Sequence, residues 1–216
     1  MFIGHYGPAF FESNDGKAQL SIKLWHAFIA VQFIDIIHIA FLLLGLEGPL
    51  HQPGELPLFN IPYSHSLVSA LILSAVAGGA GYIMIGRAKR IFWILFSLTL
   101  SHWVLDWLVH LPDLPLYPGG NGYGLALWRF PIISYGLEMG FVLIGTLFWL
   151  RKSRAVSFLY NILPWILFVI FAGLQYTFIF DPPENPTPVM LAGLAMVTYI
   201  GLAGLIAWAE SGRRWV

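Results

Sequence analysis

Six apolar blocks, at about residues 22–46, 64–86, 90–111, 131–150, 155–180 and 187–209, make up most of this chain. An α-helix needs about 20 predominantly apolar residues to cross the ~30 Å hydrocarbon core of a bilayer. Blocks of that length constrain the fold more than any motif does. The class is all-α: a polytopic membrane helix bundle of about six transmembrane helices, forming a single domain over residues 1–216. Composition agrees, because only 10% of the 216 residues are charged, against about 25% in a soluble domain.

The few charges report orientation. Lys17 and Lys23 precede the first span, and Arg87, Lys89 and Arg90 join the second and third. Arg151, Lys152 and Arg154 join the fourth and fifth, and Arg213 and Arg214 follow the sixth. The remaining loops hold Arg129 alone. Lys and Arg are retained in the cytoplasm, so both termini are expected there and the loop around residues 112–130 outside. The outer loops, PGELPLFNIP, LPDLPLYPGGNGYG and DPPENPTP, are rich in Pro and Gly and read as compact lids rather than long strands. The stretch ESNDGK after the apolar opening MFIGHYGPAFF reads as a polar turn. No basic n-region followed by an apolar core opens the chain, so no cleavable signal peptide is expected. No basic patch points to nucleic acid. With no cysteine, any metal must be held by nitrogen or oxygen. Packing cues are ordinary: Ala75/Gly79 and Ala77/Gly81 suit close helix approach, and Pro164 is expected to kink the fifth span.

Ionisable groups inside hydrocarbon are costly, so each needs a partner or a function. Span 3 contains SHWVLDWLVHLPD, with His102, Asp106 and His110 four residues apart on one helix face. Span 1 carries His26, Asp35 and His38, span 2 opens on His65, and span 4 carries Glu138. A rise of about 1.5 Å per residue puts Asp35, His38, His102, Asp106 and Glu138 close to one level, ~18–24 Å above the cytoplasmic face. Three readings stay open: a hydrogen-bonded packing network, a proton or ion pathway, and a metal site. The absence of an intramembrane Lys or Arg beside three carboxylates favours a bound cation. Imidazole with carboxylate suits a divalent ion such as Zn or Mn better than Ca or Mg. On this reading His102, Asp106, His110, Asp35, His38 and His65 are candidate ligands, and Glu138 is the candidate general base. His26 and His51 read as interfacial or loop residues.

MFIGHYGPA, VQFIDIIHIAFLLLGLE, PYSHSL and SHWVLDWLVHLPDLPL, followed by a Gly-rich stretch and LALW, together resemble a family of bacterial integral-membrane proteins classed as metal-dependent hydrolases, the YdjM-like proteins. The resemblance spans roughly residues 1–140. It implies a bacterial inner-membrane location and a polar set of His5, Asp35, His65, His102 and Asp106, with Glu138 beside them. His38 stands where many such proteins carry a second carboxylate. For His5 to join that set, residues 1–12 must re-enter the bundle, which membranes allow only where the backbone is buried in protein or wet.

The function expected is metal-dependent hydrolysis of a lipid or lipid-linked ester, amide or phosphoester reached from the outer leaflet, with Arg129 available to an anionic headgroup. The alternative is a non-enzymatic accessory subunit among partner membrane proteins. An ion or proton carrier ranks lower, because alternating access uses broken helices and only Pro164 suggests one.

Overall fold

The computed structural model of the protein describes residues 1–12, 22–50, 58–183 and 186–216. His51, Lys17 and most of the expected ESNDGK turn lie outside them. An N-terminal segment comes first: a 3-10 turn Ile3–His5, helix α1 (Tyr6–Ala9) and a 3-10 turn Phe10–Glu12. Helices α2 (Leu24–Val31), α3 (Phe33–Leu43), α4 (Leu67–Met84), α5 (Lys89–Val109), α6 (Pro131–Lys152), α7 (Phe158–Phe180) and α8 (Pro188–Ser211) follow. The last five are each long and apolar enough to cross a membrane, and α2 with α3 gives a sixth, bent span where the pair is counted as one. The chain is thus an all-α membrane bundle.

Three small antiparallel pairs close the ends: β1 (Gly48–Leu50) with β2 (Leu58–Asn60), β3 (Leu114–Pro115) with β4 (Gly122–Tyr123), and β5 (Ser153–Ala155) with β6 (Arg213–Trp215). The pairs β1–β2 and β3–β4 fall in or beside two of the three expected lids, of which residues 53–57 of PGELPLFNIP and 184–185 of DPPENPTP lie outside the described residues. The pair β5–β6 ties the α6–α7 turn to the C-terminal residues, and Leu24 donates its N–H to Glu210 at 2.9 Å. Lys23, Arg151–Arg154 and Arg213 therefore gather at one end of the bundle.

The first span is not one helix. It bends by 46° between α2 and α3, with no Pro or Gly at the break. Side chains inserted from elsewhere explain it. Gln32, buried at the break, donates through Nε2 to the carbonyl of Phe2 at 3.3 Å. Thr99 donates to the carbonyl of Ala30 at 3.0 Å, and the Val31 carbonyl accepts from His102 at 2.7 Å.

The helix α7 runs through Pro164, where a kink is expected, without interruption. A proline removes the donor that would have met the carbonyl four residues earlier. That carbonyl, of Tyr160, accepts instead from Arg213 Nη1 at 2.7 Å. The small-residue pairs on α4 also divide. Ala77 and Gly81 face α5, where a Cβ on Gly81 would lie 2.1 Å from Leu95, whereas Ala75 is exposed and Gly79 meets nothing.

The N-terminal segment is inside the bundle. Ile3, His5, Tyr6, Ala9 and Phe10 are buried, and the segment lies along α6. Two glycines permit the approach: a Cβ on Gly7 would sit 2.8 Å from Phe141, and one on Gly145 only 2.6 Å from the Gly7 carbonyl. Backbone donors at the start of the segment meet buried side chains. Phe2 and Gly4 donate to Glu138 Oε2 at 2.9 and 3.1 Å, and Ile3 donates to Gln175 Oε1 at 3.1 Å. Re-entry at membrane depth is thus satisfied by hydrogen bonds, as burial in lipid requires.

Candidate metal centre

Helix α5 supplies His102 and Asp106, one turn apart on its buried face. Asp35 comes from the first turn of α3, just past the break, and His65 from the turn before α4. Their atoms converge. His102 Nε2 lies 3.1 Å from Asp106 Oδ2 and 3.4 Å from Asp35 Oδ1. His65 Nε2 lies 3.3 Å from Asp35 Oδ1 and 3.6 Å from Asp106 Oδ2. Four ligands about 2.1 Å from a tetrahedral ion would be about 3.4 Å from one another. The four histidine–carboxylate separations bracket that value, which bears on those pairs and not on the two histidines or the two carboxylates between themselves. The donor set, two imidazoles and two carboxylates, suits a first-row divalent ion.

The other ring nitrogens are tied back, which fixes the orientation of both imidazoles. His102 Nδ1 reaches the Val31 carbonyl that the helix break releases. His65 Nδ1 lies 2.7 Å from Ser64 Oγ, which donates to Glu47 Oε2 at 2.6 Å. Asp35 is held as well, because Tyr199 donates its hydroxyl to Oδ2 at 2.8 Å. Each protein group in the set therefore has a supporting partner, and Nε2 of His102, buried, makes no hydrogen bond of its own.

His5 joins this cluster from the N-terminal segment. Its ring stacks on that of His102 with centroids 3.7 Å apart, and its Nε2 is 3.1 Å from Asp106 Oδ1. Two overlapping trios can hold an ion: His65, His102 and Asp106, and His5, Asp35 and His102. The two trios together contain the whole polar set that the resemblance implies.

The remaining sequence candidates stand further out. His110 ends α5 with Nε2 3.7 Å from Asp106 Oδ1, while its Nδ1 lies 3.0 Å from Asp113. His38 points to Glu47, with Nδ1 2.8 Å from Oε2, and is in neither trio. Glu138 shares the buried region but faces the N-terminal backbone, which occupies its Oε2. Exposed Arg129 lies outside the cavity lining. The Met1 amine makes an ion pair with Asp106. One positive charge near the carboxylates is thus a backbone group, which a search for Lys and Arg does not find.

Glu47, Tyr199 and Trp128 escaped the sequence reading. Glu47 was the accessible one, since it is an acid ending the first apolar block. It accepts from the backbone of Tyr63 and Ser64 at 2.7 and 2.8 Å, besides its contacts with Ser64 Oγ and His38. Burial raises its carboxyl, but the hydrogen bonds from His38 and Ser64 outweigh that and hold it below the usual glutamate range.

A cavity of about 330 Å³ opens above the cluster. Asp35, His38, His65, Asp106 and His110 form its polar floor. Its walls are mostly apolar and come from the N-terminal residues, α3, α7, α8, Trp128 and the residues Phe59 and Ile61. The volume falls within the roughly 300–1,000 Å³ of small-molecule sites. Compared with family models, curated proteins and solved structures, the chain finds no match in any of the three.

Proposed function

We propose that this protein is a metal-dependent membrane hydrolase acting on a lipid or lipid-linked substrate. The observation that carries this reading is the cluster of His65, His102, Asp35 and Asp106, of which His65, Asp35 and Asp106 line a mostly apolar cavity. Zn or Mn is the ion we assign to it, and such an ion supplies an activated water and polarises the group to be cleaved. His5 stacks on His102 and brings its Nε2 to 3.1 Å from Asp106 Oδ1.

The protein's own groups account for the rest. His38 and His110 line the same cavity and are each held by a carboxylate, Glu47 and Asp113. We assign them to proton transfer, in place of Glu138, whose hydrogen bonds point to an anchoring role. Water adds to the scissile carbon or phosphorus, the bond to the leaving oxygen or nitrogen breaks, and the leaving atom takes up a proton. The apolar walls exclude bulk water and admit a hydrophobic substrate from the membrane. We further place the protein in a bacterial inner membrane with its Lys- and Arg-rich loops and its C-terminal residues cytoplasmic, on the strength of the Lys/Arg bias; the first residues lie inside the bundle.

Purified protein in amphipol, supplied with Zn or Mn and incubated with a total bacterial lipid extract, tests the reading by mass spectrometry. Release of a fatty acid or headgroup fragment is expected, with loss of release in His65→Ala and after chelation. No chelator-sensitive product would favour the accessory-subunit reading.

A further inference from the structure

Glu47 follows the first span in sequence, yet its buried carboxylate supports the cluster, because the chain folds back at the end of α3. Gly45 makes that turn at a left-handed φ of 69°. The N–H groups of Leu46 and Glu47 then donate to the Phe41 carbonyl at 2.9 and 3.4 Å. The turn sets Glu47 against His38 and against the segment that carries Ser64 and His65.

Four donors meet the Glu47 carboxylate. The backbone N–H groups of Tyr63 and Ser64 take Oε1, while Ser64 Oγ and His38 Nδ1 take Oε2. An ionised carboxylate only accepts, so the one hydroxyl proton of Ser64 points to Glu47. Toward His65 Nδ1, 2.7 Å away, Ser64 Oγ can then only accept. His65 Nδ1 therefore carries the proton, and in the neutral ring Nε2 is bare. That Nε2 is the atom 3.3 Å from Asp35 and 3.6 Å from Asp106. An electron pair facing two carboxylates is an arrangement that a cation between them resolves. The same carboxylate accepts the proton of His38 Nδ1, so this ring, which lines the cavity, also has a bare Nε2.

We propose that Glu47 is a positioning residue: through Ser64 it holds His65, and directly it holds His38, in the Nδ1–H tautomer. One carboxylate thus prepares an ion ligand and a proton acceptor together. Those two roles rest on the hydrolase reading, whereas the tautomers do not.

Solid-state NMR of metal-free protein in lipid, labelled at the histidine ring nitrogens, reads the tautomers directly. It is run above the ordinary imidazole range, at about pH 8.5, with His65→Asn and His38→Asn giving the assignments. Both rings should show Nδ1–H and a bare Nε2. In Glu47→Gln the amide carbonyl keeps the two backbone donors, and the amide nitrogen takes the place of Oε2. That nitrogen donates to Ser64, whose hydroxyl turns to His65 Nδ1, and both rings should switch to Nε2–H. Zn binding, measured by chelator competition, should weaken about tenfold to a hundredfold. Ser64→Ala cuts the link to His65 alone, so His38 should keep its tautomer while Zn binding weakens. A merely structural Glu47 would lower stability and leave both tautomers as they are. Any other protonation of either ring in the wild type, unchanged tautomers in Glu47→Gln, or a switch of His38 in Ser64→Ala would each overturn the proposal. Wild-type protein that binds no Zn overturns the hydrolase reading alone, because the tautomers are read without metal.

Discussion

Replacing Asp106 by Asn is the sharpest perturbation of the candidate metal centre. Asp106 meets His5 and His102 at 3.1 Å, His65 at 3.6 Å and the Met1 amine. Asn keeps the shape but removes the charge. Removing one partner of a buried ion pair costs about 3–5 kcal/mol by itself, so the absolute melting temperature of the variant is a poor readout. The response to chelator isolates the ion. An ion present at a hundredfold excess over its Kd stabilises the folded state by about 2.7 kcal/mol. For a chain of this size each kcal/mol moves Tm by roughly 2–4 °C, so chelation should lower the wild-type Tm by roughly 5–10 °C. Asp106→Asn should show no chelator-dependent shift and should lose its bound metal. The assay is thermal unfolding in detergent with and without chelator, paired with element-specific metal analysis. A wild-type protein that holds no stoichiometric metal and melts unchanged in chelator refutes the reasoning. Its carboxylates would then be packing partners, with the Met1 amine as their counter-charge.

Further expectations concern the supports of the site. Glu138→Ala deprives the Phe2 and Gly4 N–H groups of their acceptor; at about 1–3 kcal/mol per buried donor, hydrogen exchange over residues 1–10 should rise sharply, and unchanged protection there would dismiss the anchoring role. Gly145→Leu should destabilise by at least about 1–3 kcal/mol, because a Cβ would already lie 2.6 Å from the Gly7 carbonyl, and a normal Tm would count against close approach of the N-terminal segment to α6. Glu47 titrates below its usual 4.5 when folded. Its contribution is therefore present above that pH and lost as pH falls through the depressed value. Glu47→Gln should melt lower than wild type near neutrality and lose less on acidification, as a Tm series against pH would reveal. Single cysteines at Ala88 and Gly120 should react with impermeant reagent from opposite faces of the membrane; labelling from one face only would reject the orientation.

The bundle was legible from one dimension because membrane spans are read from length and apolarity, both local properties. The spacing of His102 and Asp106 was legible for the same kind of reason, since a helix puts residues four apart on one face. Depth along the helices drew Asp35 toward the same level, but depth says nothing of azimuth. Glu138 has the right height and turns to the N-terminal backbone. His38 has the right height and turns to Glu47. Only packing decides such directions, because they depend on how each helix is rotated against its neighbours.

The bend in the first span was hidden for a related reason. Its sequence contains no Pro or Gly at the break, and the backbone groups freed there are satisfied by partners 69 and 71 residues away, Thr99 and His102. Pro164, which is a local signal, leaves α7 unbroken because Arg213 arrives from the far end of the chain. By itself the sequence determined that this chain is a helical membrane bundle of five to six spans with ionisable groups inside it, since hydrophobicity and helix periodicity are properties of neighbouring residues. The tertiary structure decided which of those groups meet, because a His/Asp cluster drawn from α3, α5 and the turn before α4 exists only once the helices have been turned to face one another.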